Sequence, residues 1–208
     1  MRQSSTLSIL LVIGLGLGAG WVGSGCASSD DTVKKQKVDS LENFEAAHFS
    51  TSKEGEFIVE RYSLDGNKEP DLIKYFEEYP DPENPKLTLR RLRKKEVDVD
   101  ANGTIDIVRL YDKDGVPTKE KMDRNLSGQI DTISYFDHGH LVRKEALNED
   151  GTRVVETRYY TDGVIERIER DNSGDGKVDY WEYYEVGTLD RVGTDINADG
   201  RADSWTRR

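Results

Sequence analysis

Apolar and polar residues alternate along most of this chain in short runs, and each run is closed by a glycine. The glycines Gly103, Gly128, Gly151, Gly176 and Gly200 recur 25, 23, 25 and 24 residues apart. After each comes the period-two alternation of a half-buried strand. Eight residues on from the first four stands an aromatic: Tyr111, Phe136, Tyr159 and Tyr184. Three or four residues further is a second glycine, Gly115, Gly139, Gly163 or Gly187. Sequences such as Lys113-Asp114-Gly115 and Thr161-Asp162-Gly163 supply the positive φ angles a tight hairpin needs. Return strands follow over Leu141–Leu147, Ile165–Arg170 and Leu189–Thr194.

Each unit is thus two strands and two turns, and a fixed period marks an array rather than a single enzyme core. A degenerate first unit runs through Asp65-Gly66-Asn67 to Tyr75-Phe76, with Phe76 in the place of Tyr111. Its next turn is enlarged by Pro80-Asp81-Pro82-Glu83-Asn84-Pro85. Counting the truncated last unit, six repeats over residues 55–208 predict an all-β, elongated antiparallel meander. Residues 26–54 are polar and weakly patterned and read as a tether. Asp39-Ser40-Leu41-Glu42 resembles a helix start, with a short helix to His48.

The N-terminus follows a different pattern. Arg2 is the only charge before Asp30, and an apolar, glycine-rich run from Leu7 to Val22 leads into Gly23-Ser24-Gly25-Cys26. The run is short for a membrane span, and small residues precede the cysteine, which is the pattern of a secretory signal over residues 1–25. These residues resemble the lipobox signal of bacterial lipoproteins. That resemblance implies cleavage before Cys26, lipid on Cys26, and an envelope location anchored to the membrane. Ala27 after the cysteine implies the outer membrane. Cys26 is the only cysteine, so no internal disulfide exists.

Charge narrows the partners. The 41 acidic and 30 basic residues leave a net charge of −11, which repels nucleic acid and attracts cations. Hydrophobic content of 35% against 34% charged residues argues against a thick core and suits a thin repeat sheet.

The segments between repeats carry the candidate chemistry. D-x-N-x-D-G-x-x-D recurs as Asp98–Asp106, Asp123–Asp131, Asp171–Asp179 and Asp195–Asp203, with a worn copy at Ala146–Val154. Alternate oxygen side chains before a sharply turned glycine are what a hard cation such as Ca²⁺ requires. The richest loop offers Asp171, Ser173, Asp175, the Lys177 carbonyl and Asp179, with Glu182 at the twelfth position. Next come Asp195, Asn197, Asp199 and Asp203, and then Asp98, Asp100, Asn102 and Asp106. These loops resemble EF-hand and related short calcium loops. That resemblance implies Ca²⁺; the expected affinity is weak, roughly 10⁻⁴–10⁻³ M, as in extracellular modules. Asn-Gly and Asp-Gly also form hairpins with no metal, so the aspartates at positions one and nine are what favour the cation.

The half-repeat Tyr183-Tyr184-Glu185-Val186-Gly187-Thr188-Leu189 resembles MORN-type repeats over roughly residues 57–208. It implies a β-sheet used as an interaction surface and carries no catalytic residues to transfer. Tyr135, Tyr159, Trp181, Tyr183 and Trp205 form either a ladder for a glycan or cross-strand packing. The basic run Arg90-Arg91-Leu92-Arg93-Lys94-Lys95 either meets anionic lipid or is balanced by neighbouring strands. His138 and His140 flank Gly139 and could share a transition metal, though Gly139 is the ordinary turn glycine. No constellation of nucleophile and base emerges. The expected function is a non-enzymatic, lipid-anchored envelope protein that presents a calcium-stabilised β-repeat surface to an envelope protein or glycan. The alternatives are a carbohydrate-binding module on the aromatic face and a glycan hydrolase using paired aspartates.

Overall fold

The computed structural model describes residues 47–208. Cys26, the signal segment, most of the tether and Asp39–Glu42 lie outside the described residues. Thirteen strands follow in chain order: β1 Ala47–Glu54, β2 Phe57–Ser63, β3 Leu72–Pro80, β4 Thr88–Val97, β5 Ile107–Tyr111, β6 Pro117–Met122, β7 Thr132–Asp137, β8 His140–Leu147, β9 Val154–Thr161, β10 Val164–Arg170, β11 Tyr180–Glu185, β12 Thr188–Thr194 and β13 Ser204–Arg207. Each pairs antiparallel with the next, in one sheet ordered β1 to β13. The two end strands have one neighbour each, so the meander is open rather than a barrel.

Two expectations change at the N-terminal edge. Ala47 and His48 are extended strand rather than helix end, and Ala47–Glu54 belongs to the sheet rather than to the tether. The polar strand β1 is held by its neighbour: Arg61 on β2 donates to Ser52 at 2.8 Å and to Glu54 at 2.6 Å.

At one margin of the sheet the strands join in tight turns. His138-Gly139, Asp162-Gly163 and Val186-Gly187 all carry positive φ at both central residues, the mirror-image turn that matches strand twist. Val186 at φ 50° is a β-branched residue in a region such residues avoid, and it stands 94% exposed. At the opposite margin lie the longer aspartate loops.

Each returning strand also contains one extra residue: Arg93, Thr118, Val142, Glu166 and Asp190 fall in register breaks. Strand β9 has a further break, because Ala146 pairs with Glu156 and Leu147 with Val154, skipping Val155. Counting eight residues from each glycine therefore misplaces one aromatic. Tyr160, opposite Ile165, is the counterpart of Phe136 opposite Leu141 and Tyr184 opposite Leu189. Tyr159 lies instead in the row of Tyr135 and Tyr183.

That row runs across the strands as Tyr75, Lys94, Leu110, Lys119, Tyr135, Arg143, Tyr159, Arg167, Tyr183, Arg191 and Arg207, each opposite the next. Residues two apart share a face, so Trp181 and Trp205 stand on the same face in the adjoining row. Buried apolar residues among those described are only Ile58, Val59 and Ile168. Cohesion comes instead from pairs between strands. The Arg143 and Arg167 guanidiniums lie 4.0 and 4.1 Å from the Tyr135 and Tyr159 ring centres. Each such contact is worth about 0.5–1 kcal/mol at an exposed site. The tyrosine hydroxyls donate to Glu145 and Glu169, each at 3.0 Å.

Candidate cation site in the stacked aspartate loops

The loops repeat one hydrogen-bonding scheme. The first aspartate turns inward and accepts from the amide of the sixth-position glycine: Asp98 from Gly103 at 2.6 Å, Asp123 from Gly128 at 2.6 Å, Asp171 from Gly176 at 2.9 Å and Asp195 from Gly200 at 2.6 Å. The ninth aspartate accepts from the second-position amide: Asp106 from Val99 at 2.6 Å, Asp131 from Arg124 at 3.0 Å, Asp179 from Asn172 at 3.0 Å and Asp203 from Ile196 at 2.8 Å. Charged acceptors on loop amides are the stronger class of hydrogen bond. The end aspartates therefore have a structural task that needs no metal. Asp71, which the sequence did not single out, does the same for Leu64 at 2.6 Å and is 2% exposed.

Neighbouring loops are stitched by backbone bonds. Asp98 N donates to the Asp71 carbonyl at 2.8 Å, Asp123 N to that of Asp106 at 2.8 Å, and Asp195 N to that of Asp179 at 2.9 Å. Each loop lies against the one before it.

Asp98, Asp100 and Asp106 present carboxylate oxygens within 4.8 Å of one another, a group that could hold a metal ion. Among the described residues this is the cluster of three or more acidic, histidine or cysteine groups that converges. Asp98 and Asp106 are buried and Asp100 is exposed. Asp106 Oδ1 is buried with no hydrogen-bond partner. Burial pushes the Asp106 carboxyl above its usual range; the Val99 amide opposes this, and the charges of Asp100, Asp98 and Asp123 add to it. Amide bonds use one lone pair of an oxygen and leave another for a cation. Asn102 is committed locally: its Oδ1 accepts from Thr104 N at 2.7 Å and its Nδ2 donates to Asp100 at 3.0 Å.

The loops ranked first by ligand count are arranged otherwise. Asp175 Oδ1 accepts from Lys177 N at 2.9 Å, and Ser173 N donates to Asp179 at 2.7 Å. Glu182 does not close the loop. It sits on β11, where its carboxylate accepts from Arg170 at 3.1 Å and Tyr184 at 2.7 Å. In the last loop, Asn197 Oδ1 accepts from Asp199 N at 2.9 Å and Asp199 Oδ1 from Arg201 N at 2.9 Å.

A cleft of about 370 Å³ separates the last two loops, lined by Asp175, Lys177, Asp179, Tyr180 and Asp195 among others. Burial opposes the charge on Asp179, but the amides of Asn172 and Ser173 outweigh it and hold the carboxyl below its ordinary range. Burial likewise opposes the charge on Asp195, and the Gly200 and Ala198 amides depress it.

The basic run is balanced by neighbouring strands: Arg91 and Arg93 meet Glu77 at 2.9 and 3.0 Å, and Arg90 meets Glu78 at 3.3 Å. His138 is 91% exposed at its side chain and pairs with Asp137 at 2.9 Å.

No family model matches the chain, and no curated protein matches it. Partial structural similarity exists to a GtfA/B complex, at 12% identity over 80% of this chain with TM-score 0.31. The pneumococcal O-GlcNAc transferase GtfA in complex with UDP and GlcNAc gives 13%, 80% and 0.32. A mutant of S. aureus TarM in complex with Fondaparinux, alpha-GlcNAc-glycerol and UDP gives 14%, 55% and 0.29. This chain spans 22%, 22% and 20% of those proteins respectively. Likenesses at this level fix neither fold nor activity.

Proposed function

We propose that this chain is a non-enzymatic protein of the bacterial cell envelope, anchored by lipid on Cys26 with the outer membrane as its site. In this reading it presents the face of its β-repeat sheet to an envelope protein or glycan. The observation that carries the reading is the lateral row from Tyr75 to Arg207, where tyrosines, replaced once by Leu110, alternate with arginines or lysines as far as Arg191 and two tryptophans stand beside them. Tyrosine, tryptophan and arginine are the residues binding surfaces favour. Repetition across strands suits an extended partner better than a small molecule in a pocket.

Calcium is the ion the proposal assigns to Asp98, Asp100 and Asp106, since hard oxygen ligands on a turned loop suit it. It would stiffen the loop margin from which the strands hang. A glycan hydrolase needs one carboxyl kept protonated to act as acid. Of the acids lining the cleft, Asp179 and Asp195 have carboxyls held below their ordinary range, the wrong direction for that role, which supports a binding rather than a catalytic reading. A carbohydrate-binding module remains the second reading, favoured by the same aromatic row.

The test is co-sedimentation of the full chain in detergent with purified glycan and outer-membrane protein fractions, with product analysis alongside. Binding without turnover is expected, and it should be lost in Tyr159→Ala with Arg167→Ala, checked for retained strand signal by circular dichroism. Cleavage of a fraction, or equal binding by the variant, would overturn the proposal.

A further inference from the structure

The aspartate loops share one backbone scheme but differ in what balances their charge. In the Asp171 loop, Arg153 reaches over from the shortened loop before it. Its Nη1 donates to the Gly174 carbonyl, and its Nε lies 3.7 Å from Asp171 Oδ2. Residue 174 is the fourth position, with φ +80°; its equivalents Ala101, Leu126 and Ala198 also have positive φ yet keep a side chain. At Gly174 a Cβ would fall 2.9 Å from the Arg153 guanidinium. Glycine there lets the arginine head lie against the loop without shifting.

The same carbonyl is served in the last loop, where Lys177 Nζ donates to the Ala198 oxygen at 2.8 Å. At the Asp98 loop the groups drawn together are acidic, with oxygens within 4.8 Å, and Asp106 Oδ1 stays buried without a partner in a residue 1% exposed. An uncompensated buried carboxylate oxygen is costly and calls for a cation or a donor.

We infer that the array takes one divalent cation, at Asp98, Asp100 and Asp106, and that Arg153 is a built-in counter-ion standing in for a second cation in the Asp171 loop. This rests on the calcium reading proposed above and deepens it. The guanidinium donates to the Gly174 carbonyl through Nη1 while its charge stands at ion-pair distance, 3.7 Å, from Asp171 Oδ2, so one side chain supplies a donor to the loop backbone and a charge to its first aspartate. Loops that share their first and ninth aspartates then differ in metal demand through the place of the third, Asp100 at position three against Asp175 at position five, and through an arginine supplied by the preceding unit.

Isothermal titration of the chelator-treated full chain with Ca²⁺ alone should give one site per chain. Asp100→Ala should abolish it: Asp100 is exposed and accepts from the Asn102 side chain, so the fold should persist by circular dichroism. Arg153→Met should raise the stoichiometry from one to two, and adding Asp175→Ala should return it to one. If Arg153→Met loses strand signal, Arg153→Gln keeps a donor for the Gly174 carbonyl without the charge. Stoichiometry unchanged in the folded arginine variant would overturn the counter-ion assignment and leave the calcium reading standing. Binding that survives Asp100→Ala would overturn the site assignment. No binding by the wild type would overturn both.

Discussion

The Asp98–Asp106 and Asp171–Asp179 loops share their first and ninth aspartates, the sixth-position glycine and one scheme of backbone bonds, yet their charges are satisfied differently. In both, the first aspartate caps the sixth-position glycine amide, and the ninth caps the second-position amide. In the first loop three acids crowd together around a buried, unpartnered oxygen. In the second an arginine from outside reaches the loop. The shared aspartates are therefore chemistry of the fold, whereas metal demand follows from where the third aspartate stands and from what the neighbouring unit supplies.

The largest effect that tests this separates the two tasks. Asp98→Ala and Asp171→Ala each strip a buried carboxylate that accepts two amide bonds. In chelator both should lose on the order of 3 kcal/mol, since bonds to charged groups contribute about 1.5–3 each and a stranded donor adds to the cost. Melting should fall by roughly 6–12 °C for a chain of this size. In calcium at ten times its dissociation constant, linkage restores about 1.4 kcal/mol to any variant with an intact site. Asp171→Ala should show that recovery by differential scanning, and Asp98→Ala should not. Equal recovery in both would erase the distinction between the loops.

Much of the architecture was legible in the sequence because its causes are local. Turn glycines with positive φ and period-two alternation mark the hairpins, and the observed order from β1 to β13 follows from them. What escaped depends on partners. The strand Ala47–Glu54 is too polar to announce itself and is held by Arg61. Tyr159 was shifted by one position because the break at Val155 depends on pairing with β8. Ligand count points to the Asp171 and Asp195 loops, but their first and ninth aspartates already cap loop amides, a task that only the folded backbone reveals. Glu182 looked like a twelfth ligand, but its strand aims it at Arg170. The signal for Arg153 was present as a lone fourth-position glycine, Gly174, where equivalent loops have Ala101, Leu126 and Ala198. Its meaning lies in a residue 21 positions away in the chain.

A smaller effect sharpens the comparison through pH. Burial opposes the charge on Glu182, but bonds from Tyr184 and Arg170 hold its carboxyl below the usual range. Glu156 is likewise opposed by burial and depressed by Arg158 and Arg170. Their contribution is present above the unfolded value of about 4.3 and is lost as pH falls through the depressed folded values. Asp106 has the opposite sign. Its folded value is raised, so its contribution is full below about 3.9 and is lost as pH rises through that raised value. In chelator, mild acidification from neutrality should therefore stabilise the Asp98 loop before stronger acid undoes the Arg170 network. Urea denaturation across this range should show the early gain vanish in Asp106→Asn and the late loss become shallower in Glu182→Gln. A monotonic decline shared by the wild type and Asp106→Asn would remove the charge strain assigned to the first loop.

The smallest effect asks whether the counter-ion rule extends to the last loop. Lys177 bonds the Ala198 carbonyl at 2.8 Å, and its stem passes within 3.5 Å of where a Cβ on Gly200 would stand. An ammonium on a flexible stem is strongly hydrated, and Lys177 is exposed, so it balances the loop less firmly than the planar Arg153 does. An exposed lysine acts on the nearby acids only at longer range, so its contribution is small and screened by salt. Lys177→Met, placed in an Asp100→Ala background to silence the first loop, should lower melting by roughly 1–2 °C at low salt in chelator. Millimolar calcium should recover that loss, because the Asp195 loop would then lack its side-chain cation. A loss indifferent to calcium would confine the rule to the Asp171 loop. The amide caps on Asp195 and Asp203 would then balance the last loop by themselves.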